Sequence, residues 1–341
     1  CNVISELNLL LRQSLMKFLF FFLIFLNSGR YLPEFRKIRS LNKDFIKLCL
    51  NSKLSSEITL QPITRFDLDS AIIFSDILMI PYALGQQVNF TKDFGPQLSK
   101  FNYALFSNNN KQNFTKNLKP VYETIKITRK KLSKEKSLIS FIGAPWTLLV
   151  YMLGIKKNRT EINLNILNNK NFKINLIMEE IIKYLCIHIK NQKNAGANVV
   201  QIFDSWAGLI PQDKIKDLCY IPNLKVVEFC KKEKIPNICF PKGIKEKYEE
   251  FNNFVKPDGI NLDSEIDPLW ARDKLKNVVI QGGLNPKILL KPNREIIREA
   301  TKYIRSFKDI PYVFNLGHGL LPETDPDKVK MLVKFYRNFN E

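Results

Sequence analysis

The sequence predicts an α/β fold, a single (β/α)8 TIM barrel, and three observations carry that expectation. Short apolar runs recur along the chain, amphipathic stretches long enough for helices separate them, and polar residues of catalytic type follow directly after several of the runs. A length of 341 residues suits one large barrel or two ordinary domains. An apolar content of 45% is normal for a chain with a full core.

In chain order the runs are Ala71–Phe74, Ser137–Ile142, Asn198–Phe203, Asn237–Phe240, Gly259–Leu262, Asn277–Gln281 and Tyr312–Leu316. Each is apolar without strict alternation, the pattern of a strand covered on both faces. Between them, stretches such as Leu176–Lys193 and Glu295–Phe307 repeat at helical spacing. Alternating β and α segments predict a parallel sheet. Seven runs, with an eighth near the N-terminus, suit a closed barrel better than an open sheet. The Asn- and Lys-rich stretches Asn108–Asn117 and Lys156–Lys173 are expected as surface loops. Neither has the composition of a flexible linker, and no internal repeat appears.

Charge is the unusual property: 53 Lys and Arg stand against 33 Asp and Glu, a net +20. Such a surplus attracts nucleic acid, an acidic membrane or a polyanionic small molecule. The richness in Lys, Asn, Ile and Phe also has the look of an AT-biased genome, so compositional drift is the main source weighed. The lysines are spread along the chain and no RRM, KH or helix-turn-helix signature is present, so no nucleic-acid partner is expected. The six cysteines include no C-x-x-C pair, which suits small core residues in a reducing compartment. A cytoplasmic location is expected, with a plastid as the alternative, and no membrane partner.

The chain begins at Cys1, so a piece of a longer protein is expected. Met16-Lys17 precedes an apolar run from Phe18 to Leu26, followed by Asn27-Ser28-Gly29. The run is too short to span a bilayer. Three readings stay open for it: a signal peptide, a buried barrel strand, or an insertion or disturbed reading frame.

In a barrel of this type the active site gathers at the C-terminal ends of the strands. The residues found there are Asp76 after Ala71–Ser75, Gly143-Ala144-Pro145-Trp146-Thr147 with Tyr151 after Ser137–Ile142, Asp204-Ser205-Trp206 after Asn198–Phe203, and His318 between Gly317 and Gly319. Each has a plainer role open to it. Asp76 and Ser205 are residue types that cap helices. Tyr151, among Leu148, Leu149 and Met152, suits core packing with a satisfied hydroxyl. The glycines beside His318 would let a ligand approach closely. The second histidine, His188, lies in a helical pattern and is expected to be structural. No H-x-C, H-E-x-x-H, G-x-S-x-G, P-loop or G-x-G-x-x-G is present. The chemistry therefore falls to acids, arginines and the electronics of the substrate.

Five segments resemble the signature regions of the uroporphyrinogen decarboxylase family, and of its bacterial members in particular. They are Gly29-Arg30-Tyr31-Leu32-Pro33-Glu34-Phe35-Arg36, Ala71–Leu78 with Ala83-Leu84-Gly85, Gly143–Leu148 with Tyr151-Met152, Gln201–Gly208, and Asn315–Gly319 with Leu321-Pro322-Glu323-Thr324. They keep their order from residue 29 to about residue 338. The resemblance implies one barrel domain over 29–341, a homodimer, and a reaction without cofactor or metal. That reaction takes uroporphyrinogen to coproporphyrinogen by four decarboxylations in tetrapyrrole synthesis. Carried over by motif, Asp76 faces the pyrrole N–H groups, Arg30 binds a substrate carboxylate, Tyr151 and Ser205 hydrogen-bond substrate side chains, and His318 lies at the cavity floor.

Two segments depart from the family pattern. The family motif Arg-Gln-Ala-Gly-Arg has two arginines; here the second is Arg30, and Leu26 stands where the first belongs. Upstream, Arg12-Gln13-Ser14 joined directly to Gly29 would restore the pattern. Residues 1–28 are therefore expected to be atypical, with an insertion or frame error at about 15–28, and Arg12 is the candidate first arginine. Gln281-Gly282-Gly283-Leu284-Asn285-Pro286 replaces the usual Gln-Gly-Asn-Leu-Asp-Pro, in a segment expected to be structural. The alternatives are an inactive member of the same superfamily, should Leu26 truly replace the first arginine, and a corrinoid-linked methyltransferase that binds zinc through His and Cys, which the missing H-x-C spacing opposes.

Overall fold

A computed structural model describes residues 31–91, 95–156, 158, 161–165 and 174–339. Among the described residues, seven parallel strands follow one another in chain order across a single sheet: β1 (Ser70–Ile72), β4 (Ser137–Gly143), β5 (Val199–Asp204), β6 (Asn237–Pro241), β7 (Gly259–Leu262), β8 (Val279–Gly282) and β9 (Tyr312–Val313). A short antiparallel hairpin, β2 (Val88–Thr91) with β3 (Gly95–Leu98), stands apart. Each strand of the large sheet pairs with the next in sequence, for example Val200 with Asn237 and Ile260 with Ile280. Such connections need a crossover, and helices such as Ile174–Asn194, Ile221–Lys232 and Asn293–Ser306 supply it.

The sheet is curled into a barrel, and one contact demonstrates it. Gln281 on β8 donates its side-chain amide to Gln201 on β5 at 3.1 Å and to Asn261 on β7 at 3.0 Å. In a flat sheet β5 and β8, three steps apart, would be separated by roughly 14 Å. The three amides form a buried polar layer inside a (β/α)8 barrel. The outward faces of the strands, with Ile202, Ile260 and Ile280 completely buried, lie within one core that also takes in Leu185, Val226 and Phe251 from the surrounding helices. Burial of such a side chain contributes about 1.5–3 kcal/mol. At the opposite end from the site, Arg129 donates to the Lys136 carbonyl and to Asn198 Oδ1, which also accepts from the Leu138 amide. These bonds fix the start of β4 and β5.

All seven apolar runs hold a strand, with shifted edges. The run at Asn277 starts two residues later because Asn277 has φ +57°. The run at Ala71 ends at Ile72 because the Phe74 amide turns to Thr59 Oγ1 at 2.9 Å. The last run is a strand only over Tyr312–Val313, followed by an isolated parallel bridge from Leu316 to Leu284. The eighth run, near the N-terminus, lies outside the described residues. One expected surface loop is overturned: within Asn108–Asn117, Lys111–Asn117 is a helix. Asn110 caps it by accepting from the Asn113 amide at 2.9 Å, and Phe114, fully buried, anchors it. The described part of Lys156–Lys173 contains an antiparallel bridge, Lys156 with Ile162.

Candidate active site at the strand ends

Asp76 sits four residues past β1, half-buried, where the chain turns into the helix Met79–Ala83. Its Oδ1 accepts from the Leu78 amide at 2.9 Å, which fixes the carboxylate relative to the barrel rim. Tyr151 lies near the end of the helix Pro145–Met152 that follows β4. Its phenol pKa is raised, which favours the neutral form. Burial is the main cause; the Trp206 indole N–H draws the pKa back down without closing a hydrogen bond of normal geometry, and the Asp76 carboxylate raises it again. The Tyr151 and Trp206 rings meet edge to face at 5.9 Å. The Lys156 ammonium lies over both, 5.9 Å from the Tyr151 ring centre and 5.6 Å from that of Trp206.

Ser205, half-buried, is placed by its neighbours on either side. Asp204 is fully enclosed: Oδ1 accepts from Thr147 Oγ1 at 2.8 Å and Oδ2 from Asn223 Nδ2 at 3.0 Å. Thr147 Oγ1 in turn accepts from the Trp206 amide at 3.3 Å, and the Trp206 carbonyl accepts from Trp146 Nε1 at 3.2 Å. Burial pushes the Asp204 carboxyl up to about 6, against the lowering effect of these hydrogen bonds. Asn223 reaches Asp204 from a helix with a local defect. Pro222 has no amide to give to Leu218, and the chain over Lys216–Tyr220 widens into a π turn. The Asn223 side chain also donates to the Cys219 carbonyl there, at 2.9 Å.

His318 follows β9 and is exposed to solvent, yet it is hemmed in by protein. That crowding lowers its pKa, and Lys242 lowers it further. Lys242 follows β6 directly, and its amide donates to the Asp204 carbonyl at 3.1 Å. An arc therefore runs round the rim from Asp76 to Tyr151, to Trp206 beside Ser205, to Lys242, to His318. Arg12 and Arg30 lie outside the described residues. His188 is remote from this arc and sealed in the helix layer. Its Nδ1 meets the Tyr122 hydroxyl at 3.0 Å and its Nε2 meets Gln192 at 2.9 Å. A cleft of about 840 Å³ on the outer helical layer, bordered by Glu34, Glu57, Arg65 and Lys131, involves none of the rim residues. Among the described residues no three His, Cys, Asp or Glu side chains converge as a metal site would need. None of the described helices is long and apolar enough to cross a membrane.

Comparison with known proteins decides the family: the sequence profile described as uroporphyrinogen decarboxylase (URO-D) matches residues 22–339. The chain belongs to the uroporphyrinogen decarboxylase family. Among curated relatives, the uroporphyrinogen decarboxylase of Orientia tsutsugamushi (strain Ikeda) is 41% identical over 321 residues, covering 92% of each chain. That of Rickettsia bellii (strain RML369-C) is 41% identical over 324 residues, covering 92% of this chain and 93% of the relative. A methyltransferase from Methanosarcina mazei superposes with a TM-score of 0.77 over 98% of this chain and 99% of its own, at 16% identity. At that identity the likeness speaks for the fold alone.

Sequence reasoning passed over Lys242, Lys156 and the Thr147–Asp204–Asn223 cluster. Lys242 was within reach of the rule that selected Asp76 and His318, since it follows an apolar run. The cluster joins residues 57 and 19 positions apart, and no local pattern announces it.

Proposed function

We propose that this chain removes the four acetate carboxyl groups of uroporphyrinogen III to give coproporphyrinogen III, acting as a carboxy-lyase of tetrapyrrole synthesis without a cofactor. Family membership supports the reaction, and the single structural observation that favours it is the carboxylate of Asp76 fixed at the barrel mouth beside Tyr151. The chemistry asks for such a group. A proton added to a pyrrole carbon makes the ring a cation. The electrons of the bond to the departing carboxylate then flow into that ring as CO₂ leaves. A second proton converts the resulting methylene to methyl, and loss of the first restores the pyrrole. A fixed carboxylate at the ring N–H groups stabilises the cation as it forms. In this reading Asp76 holds the macrocycle from its centre. Tyr151 and Ser205 bind substrate side chains, His318 closes the cavity floor, and Arg30 and Arg12 take carboxylates as rigid forks of donors. The enzyme would act as a homodimer in the cytoplasm, and the net charge of +20 would draw in an octa-anionic substrate.

We also infer that residues 15–28 interrupt the arginine motif. The test is an anaerobic assay with uroporphyrinogen, scoring coproporphyrinogen, on the chain as written and on one lacking 15–28. Turnover by the shortened form, well above the other, is expected. Equal turnover by the longer chain sinks the interruption, and failure of both forms sinks the decarboxylase reading.

A further inference from the structure

From the geometry of the rim we propose that Lys242 is a substrate-binding residue, holding one carboxylate of the anionic macrocycle between the Ser205 loop and His318. The inference rests on the functional reading above and extends it to the residue directly after β6.

Three features lead to it. The first is how firmly the origin of this side chain is held. The Lys242 amide donates to the Asp204 carbonyl at 3.1 Å, and its carbonyl accepts from the Gly208 amide at 2.8 Å. The next amide, Gly243, donates to Asp263 Oδ2 at 2.6 Å. Asp263 itself is buried and also accepts from the Tyr248 hydroxyl at 2.9 Å. The backbone is thus tied to the ends of both neighbouring strands, β5 and β7. A lysine stem rising from so fixed a base loses less freedom on binding than one on a mobile loop.

The second feature is charge. Lys242 is half-buried, and among the described residues it forms no ion pair with any carboxylate. Charged side chains are almost never fully buried unless paired, and Lys242, only half-buried, has room to take an anion arriving from solvent. Asp263, whose carboxyl the Lys242 charge draws down against burial, is already engaged by Gly243 and Tyr248, so the ammonium is left open to another anion. A compact point charge suits a carboxylate arriving from solvent.

The third feature is company. The Lys242 backbone is bonded to the residue preceding Ser205, and the Lys242 charge reaches His318. The lysine, after the fourth strand of the large sheet, therefore bridges two rim positions that follow the third and the last strands.

The test uses Lys242→Met and Lys242→Arg in the chain form that turns over, with thermal unfolding as the control for folding. Loss of one charge-assisted contact should raise KM for uroporphyrinogen about tenfold and leave kcat within about threefold, while Lys242→Arg should recover most of the loss. Binding of uroporphyrin, read by its fluorescence, should weaken in parallel. His318, followed by NMR, should titrate at higher pH in Lys242→Met than in the parent. A folded Lys242→Met with unchanged KM and unchanged uroporphyrin affinity overturns the proposal while leaving the decarboxylase reading intact. A parent protein that neither binds uroporphyrin nor decarboxylates uroporphyrinogen overturns both.

Discussion

Gly208 and Gly243 meet backbone to backbone: a Cβ placed on Gly208 would lie 2.5 Å from the Gly243 carbonyl oxygen. The contact joins the loop after β5 to the turn after β6, the two segments that carry Ser205 and Lys242. Gly208→Ala forces these loops apart and should cost about 1–3 kcal/mol of stability. Because both rim residues move, kcat/KM should fall more than stability alone would suggest. Chemical unfolding beside steady-state kinetics checks it; a variant of parental stability and activity would show that the loops have room to separate.

Asp76→Asn keeps the shape of the side chain and its acceptor for Leu78, but removes the charge. The fold should survive, and kcat should drop by about 100-fold or more, the scale seen when one preorganised electrostatic group is lost. Near-parental turnover would remove Asp76 from the central place given to it.

Asp204 gives a pH signature. Its folded pKa is about 6, above the ordinary carboxyl value of 3.8, so between those values the folded state holds more proton than the unfolded one. Its contribution to stability therefore rises on acidification, by about 2 kcal/mol between pH 7 and pH 4, and is complete only below the unfolded value. The stability of the parent relative to Asp204→Asn should grow as pH falls from 7 to 4.5. A pH-independent difference would mean that Asp204 stays ionised throughout.

His188 acts in the opposite sense. Burial depresses its pKa from 6.5 to about 3, so the folded state resists a proton that the unfolded chain accepts. Its stabilising effect is complete above pH 6.5 and is lost on acidification toward pH 3, at about 1.4 kcal/mol per pH unit. His188→Gln should flatten the fall in unfolding free energy between pH 6 and pH 4.5. Parallel curves for the two proteins would argue against a neutral buried imidazole.

The barrel was legible because a strand buried on both faces reads as a mostly apolar run without strict alternation, and Gly259–Leu262 is one, buried at every position with a single polar residue, Asn261. The helix at Lys111–Asn117 was hidden because its polar composition masks one anchor, Phe114, and one cap, Asn110. The hairpin of β2 and β3 was equally silent, since Val-Asn-Phe-Thr and Gly-Pro-Gln-Leu carry little pattern in eight residues. At the site, the same logic holds. Asp76, Tyr151, Ser205 and His318 announce themselves by position after a strand or within a signature segment. The support of Ser205 by Asp204, Thr147 and Asn223 depends on three separate parts of the chain meeting, which only the folded barrel brings about.

The amide layer across the barrel interior has a consequence for synthesis of the protein. Gln281 is made 80 residues after the Gln201 it bonds. In a nascent chain that has emerged only as far as β7, Gln201 and Asn261 lack that donor and turn to water instead. The polar layer therefore closes, and sheds its water, only when β8 arrives.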